Sequence, residues 1–324
     1  MDDQGFWIID GHCDSIGDYM QGQRSLLDDT GKRRRGHWDL KRARAGGLGL
    51  QFFAAYIEED YKPDLARYRG LEILAAAHAF MRKHADLVSL VRCRQDLRVL
   101  DGSRIGLLLG VEGGEILGED LFMLDICFLL GVRSLGLTWN QRNALASGVG
   151  EGEGGGGVSR FGARVVEKMN ALGILVDVSH INEQGFWHVL EISSRPVAAT
   201  HSCARALCNH PRNLTDRQLR ALAAAGGVVG VNFCPEFLVE NGEAGLADVV
   251  HHIAHIAQVA GVECVGLGSD FDGVEALPRG LEEVSCLPAL LEALGREGFS
   301  SQEIQAVARG NFWRVLEQTL PEEC

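Results

Sequence analysis

The chain has 324 residues, of which 46% are hydrophobic and 23% are charged, and its formal net charge is −13 at pH 7. This is the composition of a globular protein with a large core, and the acidic balance excludes nucleic acid as an expected partner because phosphates are repelled. No run of 18 apolar residues occurs, so we expect no transmembrane helix and no membrane partner.

The chain ends and the cysteines point to a cellular compartment. The first residues, MDDQGFW, lack the basic and apolar regions of a signal peptide, and the last, LEQTLPEEC, lack the apolar tail of a lipid-anchor signal. Nine cysteines occur without a CxxC pair, which is typical of reduced, mostly buried thiols. We therefore expect a cytoplasmic protein without a disulfide framework.

Eight short apolar runs recur along the chain, and most are continuous rather than alternating. Continuous apolar runs are typical of parallel strands that are covered on both faces. In chain order we predict strands at residues 7–14, 48–57, 104–112, 133–140, 173–180, 196–202, 227–233 and 264–270.

Helical patterns separate these runs. Gly173 follows one of them as a natural C-cap, and Ser300 with Glu303 forms a capping-box pattern. Buried strands alternating with helices predict a (β/α)8 TIM barrel. We expect one domain, residues 1–324, with C-terminal helices; an open doubly wound sheet is the alternative. The predicted helices lie within 64–84, 161–172, 182–193, 215–225, 246–260 and 300–318.

Two segments of biased composition interrupt the pattern. GKRRRGH, residues 31–37, is locally basic and is interpreted as a solvated loop. GEGEGGGGVS, residues 150–159, is interpreted as a flexible loop after the fourth strand. It has no Gly-Lys-Ser/Thr and no strand runs directly into it, so neither a phosphate loop nor a dinucleotide-binding turn is expected.

Side chains that bind metals stand at the ends of five of the eight predicted strands. In a TIM barrel the carboxyl ends of the strands form the active face, so these side chains should converge there. They are three histidines and three carboxylates: His12, Asp14, Glu112, His180, His201 and Asp270.

Their types suit a hydrolytic zinc site, so we expect a barrel of the metal-dependent hydrolase type. Residues two apart in a strand share a face, so His12 and Asp14 could hold one ion while Cys13 points away. Imidazole and carboxylate groups are zinc ligands, and the two oxygens of Glu112 could bridge two ions. Two ions would activate a shared hydroxide and polarise a carbonyl, and Asp270 could take and return protons.

Other sequence features argue against different chemistries. His251 and His255 lie one helical turn apart, but their helix should belong to the outer ring, where they would pack or face solvent. The chain has neither HExxH nor GxSxG, so a helical zinc-protease motif and a nucleophile elbow are both absent.

Seven motifs resemble, in order from residue 8 to 316, the membrane (renal) dipeptidase family of zinc peptidases. The resemblance implies a (β/α)8 barrel with two Zn²⁺ per chain, usually a homodimer, which hydrolyses dipeptides and often accepts a D-residue at the C-terminal position. The motifs are DGHCD, GVEGGE, LVDVSH, THS, HPRNLTD, GLGSDFDGV and GNFWRVL.

The resemblance also implies residue roles. His12 and Asp14 would bind one zinc, Glu112 would bridge, and His180 with His201 would bind the second zinc. Asp270 resembles the family's proton-shuttling acid/base. Arg212 matches the arginine that binds the substrate carboxylate, a task suited to a bidentate guanidinium. Asp272 is left open between a functional and a structural carboxylate.

Two positions depart from the animal members of that family. Trp139 stands where those members carry a histidine that contacts the reacting centre, and Phe237 stands where they carry a substrate-contacting tyrosine. Bacterial relatives often read LTWN, so Trp139 with Asn140 is interpreted as a subfamily trait. We expect Trp139, Asn140 and Phe237 to contact substrate, with an effect on substrate range.

Three hypotheses follow. The first is a zinc dipeptidase acting on a small dipeptide. The second keeps the two metals but changes the substrate to another small amide, such as an N-acyl amino acid, because Trp139 offers an apolar wall. The third is a non-catalytic barrel, which the presence of all six ligand-type residues disfavours.

Overall fold

Nine parallel strands make up the sheet of the computed structural model, which describes residues 7–28 and 36–324. All of their pairings are parallel, as the continuous apolar runs predict. The strands are β1 Ile8–Asp10, β2 Leu48–Tyr56, β3 Val88–Leu90, β4 Ile105–Glu112, β5 Val132–Gly136, β6 Leu175–Asp177, β7 Val197–Ser202, β8 Val228–Val231 and β9 Val265–Leu267.

Eight of these strands close into a barrel, which confirms the predicted TIM-barrel fold and excludes the open sheet. From β1 the order runs through β2, β4, β5, β6, β7 and β8 to β9, and the pair Asp10–Leu267 joins β1 to β9. The ninth strand, β3, was not predicted. It pairs with the first residues of β4, while β5 pairs with the same edge of β4 further along, from Leu109.

Helices connect the strands and cover the barrel. The predicted C-cap at Gly173 is left-handed, and the capping box of Ser300 and Glu303 is formed. The α-helices are α1 Ser15–Met20, α2 Leu40–Ala45, α3 Ala66–Lys83, α4 Arg94–Arg98, α5 Phe122–Leu129, α6 Arg160–Leu172, α7 Glu183–Ile192, α8 Asp216–Ala224, α9 Pro235–Leu238, α10 Leu246–Ala260, α11 Leu287–Glu297, α12 Ser301–Gln305 and α13 Asn311–Thr319.

The apolar core divides into two clusters, as strand alternation in a barrel requires. Along β2, Phe53 packs in the larger cluster with the surrounding helices, whereas Leu50 and Phe52 pack in the smaller one. The smaller cluster also contains Phe312 of α13, whose ring lies 5.4 Å from that of Phe52. The C-terminal helix thus packs against residues of the barrel, opposite the carboxyl ends of the strands.

Two predictions about loops and cysteines are modified by the structure. The glycine-rich segment begins inside a 3-10 helix, Val149–Gly154, and the N–H of Val149 donates to the carbonyl of His180 at 2.8 Å. Residues 31–35 of the basic run lie outside the described residues.

Cys93 is paired with Cys324, so the expectation of reduced thiols is wrong for this pair. The two cysteines are 231 positions apart, and no local spacing signals their contact. The other seven are free, and six of these are buried.

No helix in the described ranges is both long enough and apolar enough to cross a bilayer.

His255 of the outer helix α10 pairs with Asp216 of α8 at 2.9 Å, and His251 is exposed. The two histidines therefore lie outside the barrel mouth, as predicted.

Candidate metal centre and substrate cavity

The six ligand-type residues come together at the carboxyl ends of the strands. His12 Nε2 lies 3.3 Å from Asp14 Oδ2 and 3.6 Å from Glu112 Oε2. The other oxygen of Glu112, Oε1, lies 2.8 Å from His180 Nε2 and 3.5 Å from His201 Nε2. Ligand atoms of Asp270, His12 and Asp14 lie within 4.8 Å of one another. Glu112 is thus the group shared by two sets of possible ligands.

Most of these residues lie just beyond the strands rather than within them. Strand β1 ends at Asp10, and Asp14 precedes helix α1. The side chains of His12 and Asp14 nevertheless converge as predicted, because parallel pairing with residues 270 and 271 resumes beyond the end of the strand. Cys13 instead forms a bridge with Phe271, and its thiol contacts Ser15 Oγ at 2.9 Å.

Unusual backbone conformations turn the side chains into the barrel mouth. His180, Asp270 and Asp272 have φ of 68°, 63° and 66°, a left-handed region that non-glycine residues seldom adopt. Gly273 is also constrained, since a Cβ there would lie 2.2 Å from Asp270 Oδ1 and 2.3 Å from Asp14 Oδ2. Strain of this kind is concentrated at functional sites.

Hydrogen bonds from the far sides of two rings fix the histidine tautomers. His180 Nδ1 lies 2.8 Å from the amide oxygen of Asn140, which can only accept, so Nδ1 carries the hydrogen. Thr200 Oγ1 donates to Asp177 Oδ2 at 2.5 Å and therefore accepts from His201 Nδ1 at 2.9 Å. In the neutral imidazoles each Nε2 atom therefore carries a lone pair and no hydrogen.

These lone pairs face each other and a carboxylate oxygen. The two Nε2 atoms of His180 and His201 lie 2.9 Å apart, and both lie near Glu112 Oε1. Burial, with Arg212 nearby, lowers the pKa of His180 to about 3, and burial also lowers the pKa of His201. Three acceptors without a hydrogen between them require a cation, so the donor set fits a metal ion.

The part of the cluster around His12 and Asp14 also fits a cation. His12 Nε2 and Asp14 Oδ1 are buried and have no hydrogen-bond partner among the described residues. Burial raises the pKa of Asp14 to about 7. Burial opposes protonation of His12, but Asp14 and Glu112 outweigh it and hold the pKa of His12 well above its usual range. A cation at this position would satisfy all three groups.

A cavity of about 410 Å³ opens onto these ligands. Trp139, Asn140, Arg212 and Phe237, the predicted substrate residues, all line it. Sequence reasoning missed three polar side chains of this lining, Tyr56, His210 and Glu236. Tyr56 is the last residue of β2, so the rule that active residues stand at strand ends would have found it.

Arg212 is buried beside the ligands. Its Nη2 donates to the carbonyl of His201 at 3.0 Å, and Nε is buried without a partner among the described residues. Burial lowers the pKa of Arg212. Its guanidinium carbon lies 5.4 Å from the Phe237 ring, which in turn stacks on His210 at 4.5 Å. The guanidinium is thus held rigidly with hydrogen-bonding capacity to spare.

The two carboxylates of the SDFDG motif have different environments. Asp270 Oδ2 accepts from Asn232 Nδ2 at 2.9 Å and lies by the ligand cluster. Asp272 is ion-paired with Arg24 and accepts from Ser15 Oγ and from the N–H of His37. These contacts favour the structural alternative for Asp272, which links Ser15, Arg24 and His37 at the edge of the cavity that it also lines.

A closed parallel barrel with this cluster at the carboxyl ends of its strands defines the class of metal-dependent barrel hydrolases. The sequence pattern of the membrane dipeptidase family, peptidase family M19, matches residues 4–322. The chain belongs to that family, which confirms the resemblance of the motifs.

Individual relatives agree with this assignment. Dipeptidase 3 from Homo sapiens is 34% identical over 97% of this chain. The present chain spans 65% of the length of that relative. A crystal structure of dipeptidase AC, a metallopeptidase of family M19, superimposes with a TM-score of 0.91 at 30% identity, covering 97% of this chain and 99% of that one. A metallopeptidase from Rhodobacter sphaeroides was crystallised with a phosphinate mimic of the dipeptide L-Ala-D-Ala. Its structure superimposes with a TM-score of 0.90 at 30% identity, with the same coverage of both chains.

Proposed function

We propose that this protein is a zinc dipeptidase that hydrolyses the peptide bond of small dipeptides. The observation that carries the proposal is the convergence of Glu112 Oε1 with the bare Nε2 atoms of His180 and His201. An acceptor cluster of this kind has no stable charge balance without a cation, and it opens into a cavity of substrate size.

The residues suit two zinc ions. His12 and Asp14 would hold one ion, His180 and His201 the other, and Glu112 would contribute one oxygen to each. Zinc, when bound here, supplies the Lewis acidity that activates water and polarises a carbonyl. Asn140 and the Thr200–Asp177 pair orient the two imidazoles so that Nε2 faces the ion.

Asp270 is suited to proton transfer. Asn232 holds one of its oxygens, and the left-handed backbone turns the carboxylate toward His12 and Asp14. From this position it takes a proton from the attacking water and returns it to the leaving amine. Asn232, which directly follows β8, acts as a positioning residue for that carboxylate.

Arg212 and the aromatic walls orient the substrate. The guanidinium binds the free carboxylate of the dipeptide, with its unpartnered Nε available. Trp139 and Phe237 line the same cavity and enclose the two side chains, and Asn140 contributes a polar edge. The Rhodobacter sphaeroides relative holds a mimic of L-Ala-D-Ala, which supports tolerance of a D-residue at the C-terminal position here.

A second candidate function keeps the metals and changes the amide. The Trp139 ring lies 5.8 Å from His180 and 5.4 Å from Tyr56, which makes an apolar wall suited to an acyl group. An N-acyl amino acid would use the same Arg212 clamp.

Assembly as a homodimer and a cytoplasmic location remain predictions; size-exclusion chromatography and cell fractionation test them.

The direct test is hydrolysis of L-Ala-D-Ala, L-Ala-L-Ala and N-acetyl-D-Ala with zinc supplied. We expect turnover of the dipeptides, and a loss of about 10²- to 10⁴-fold in kcat for Asp270→Asn, the usual contribution of a general acid/base. Asp28→Asn, at a half-exposed carboxylate paired with Lys41, is the matched control and should retain activity. Full activity of Asp270→Asn, or no dipeptide turnover at all, refutes the proposal; preference for N-acetyl-D-Ala supports the second candidate.

A further inference from the structure

A second cavity, of about 470 Å³, lies on the same rim of the barrel. The loops after β2, β4 and β5 form it, and none of its lining residues lines the metal cavity. Its charged side chains are Glu59, Lys62, Glu115, Glu119 and Arg142, and its amide side chains are Gln141 and Asn143.

Three polar atoms of this lining are buried without a hydrogen-bond partner among the described residues: Lys62 Nζ, Glu115 Oε2 and Gln141 Oε1. The side chains of Lys62 and Glu115 are only 12% and 6% exposed, and their nearest charged atoms are 3.9 Å apart, beyond hydrogen-bond length. Buried polar atoms are normally hydrogen-bonded, so three such atoms without a hydrogen bond around one cavity indicate a missing ligand.

The charges around the cavity select the chemistry of that ligand. An anion alone would meet the carboxylates of Glu59, Glu115 and Glu119, and a cation alone would meet Lys62 and Arg142. A small zwitterion satisfies both signs, with its carboxylate at the two cations and its ammonium at Glu115 Oε2 and Gln141 Oε1.

We propose that this cavity binds a free α-amino acid. Its volume falls in the range of small-molecule sites, and its remaining lining of glycine, proline and alanine leaves room for a short side chain. The choice of an amino acid rests on the proposed function, since dipeptide hydrolysis releases this class of molecule.

The position of Lys62 connects the two cavities. Its Nζ lies 5.3 Å from the Tyr56 ring and 5.1 Å from the Trp139 ring, within reach of cation–π attraction. Both rings line the metal cavity from the other side. An amino acid bound to Lys62 would therefore sit directly behind the substrate wall.

Isothermal titration of L-alanine into the zinc-loaded protein tests this site. Lys62→Met and Arg142→Gln should each raise the dissociation constant about tenfold, as expected for a lost hydrogen bond to a charged group. Arg142 is exposed, so its variant should fold even if the substitution at the buried Lys62 does not. Lys41→Met, at a lysine whose side chain is 69% exposed, is the matched control and should bind normally. Acetate and methylamine, which each carry one charge, should bind more weakly than alanine.

Arg212→Met distinguishes the two cavities. Alanine bound in the second cavity should bind this variant as it binds the unaltered protein. The inference is overturned if Arg212→Met abolishes binding while Lys62→Met and Arg142→Gln leave it intact, or if the unaltered protein gives no binding heat. Dipeptide turnover is measured separately: turnover without alanine binding refutes only this inference, and alanine binding without turnover refutes only the proposed function.

Discussion

Four carboxylates near the barrel axis, three of them buried and the fourth, Asp14, only 12% exposed, divide into two layers that differ in their partners. In the lower layer, Asp177 accepts from the N–H groups of Ser179 and Thr200 and from Thr200 Oγ1. Asp10 accepts from Ser269 N–H, Ser269 Oγ and Gln51 Nε2. On the rim, Glu112 and Asp14 instead face imidazole nitrogens, and Asp14 Oδ1 has no partner within the described chain.

This difference separates support from chemistry. A buried carboxylate surrounded by N–H and O–H donors is satisfied and needs no ion, whereas one that faces lone pairs needs a cation. The lower layer also orients the rim, because Asp177 acts through Thr200 on His201. Burial by itself therefore does not identify a metal ligand; the kind of atom that the carboxylate faces does.

The largest expected effect is at the carboxylate shared by both halves of the rim. Glu112→Gln keeps the shape but removes the charge near His12, His180 and His201. We expect dipeptide turnover to fall about a thousandfold, more than the 10- to 100-fold typical of residues behind the ligands. Zinc content, measured by atomic emission, should fall with it, while Glu292→Gln on α11 should behave normally. Retention of two zinc ions with full activity would erase the distinction between the layers.

A smaller effect is expected one layer down. Asp177→Asn replaces one of the two acceptor oxygens by an NH2 donor, so the side chain can no longer accept from the two backbone N–H groups and from Thr200 Oγ1 together. His201 Nε2 then no longer faces the cluster reliably. We expect zinc affinity to fall about 10- to 100-fold, as for other outer partners of ligating histidines. Competition with a chelator measures it.

The matched control for that variant is Asp216→Asn, which removes a carboxylate that contacts His255 on the outer helices at 2.9 Å. It should leave zinc affinity unchanged. Equal losses in the two variants would show a general stability effect rather than orientation of a ligand.

The smallest expected effect is on how the free energy of unfolding depends on pH. Burial outweighs the donors of Ser269 and Gln51 and raises the pKa of Asp10 from 3.8 to about 6. The folded state then keeps a proton that the unfolded state has lost, so this group lowers the free energy of unfolding as pH rises from about 4 to about 6. Asp10→Asn should flatten that slope in urea unfolding of the metal-free protein, whereas Asp101→Asn, at an exposed position, should not. An unchanged slope would place Asp10 among the ordinary ionised carboxylates.

Much of this could be predicted because it depends on local pattern. Continuous apolar runs identify the barrel strands, and histidines or carboxylates following those runs identify the ligand-type residues. Asp10 and Asp177 belong to the same motifs as His12 and His180, but the sequence does not distinguish a supporting carboxylate from a ligand. That distinction depends on which donors neighbouring strands bring to each oxygen.

The sequence by itself determined the parallel barrel and the six residues that gather at its mouth, since hydrophobic period and strand-end position are properties of neighbouring residues. The tertiary structure decided the rest. It assigned Asp272 to Arg24, Asn140 to His180 and Cys93 to Cys324, and it left the second cavity around Lys62 with unpaired polar atoms. Each of these depends on contacts between distant segments, which closure of the barrel brings together and no local spacing records.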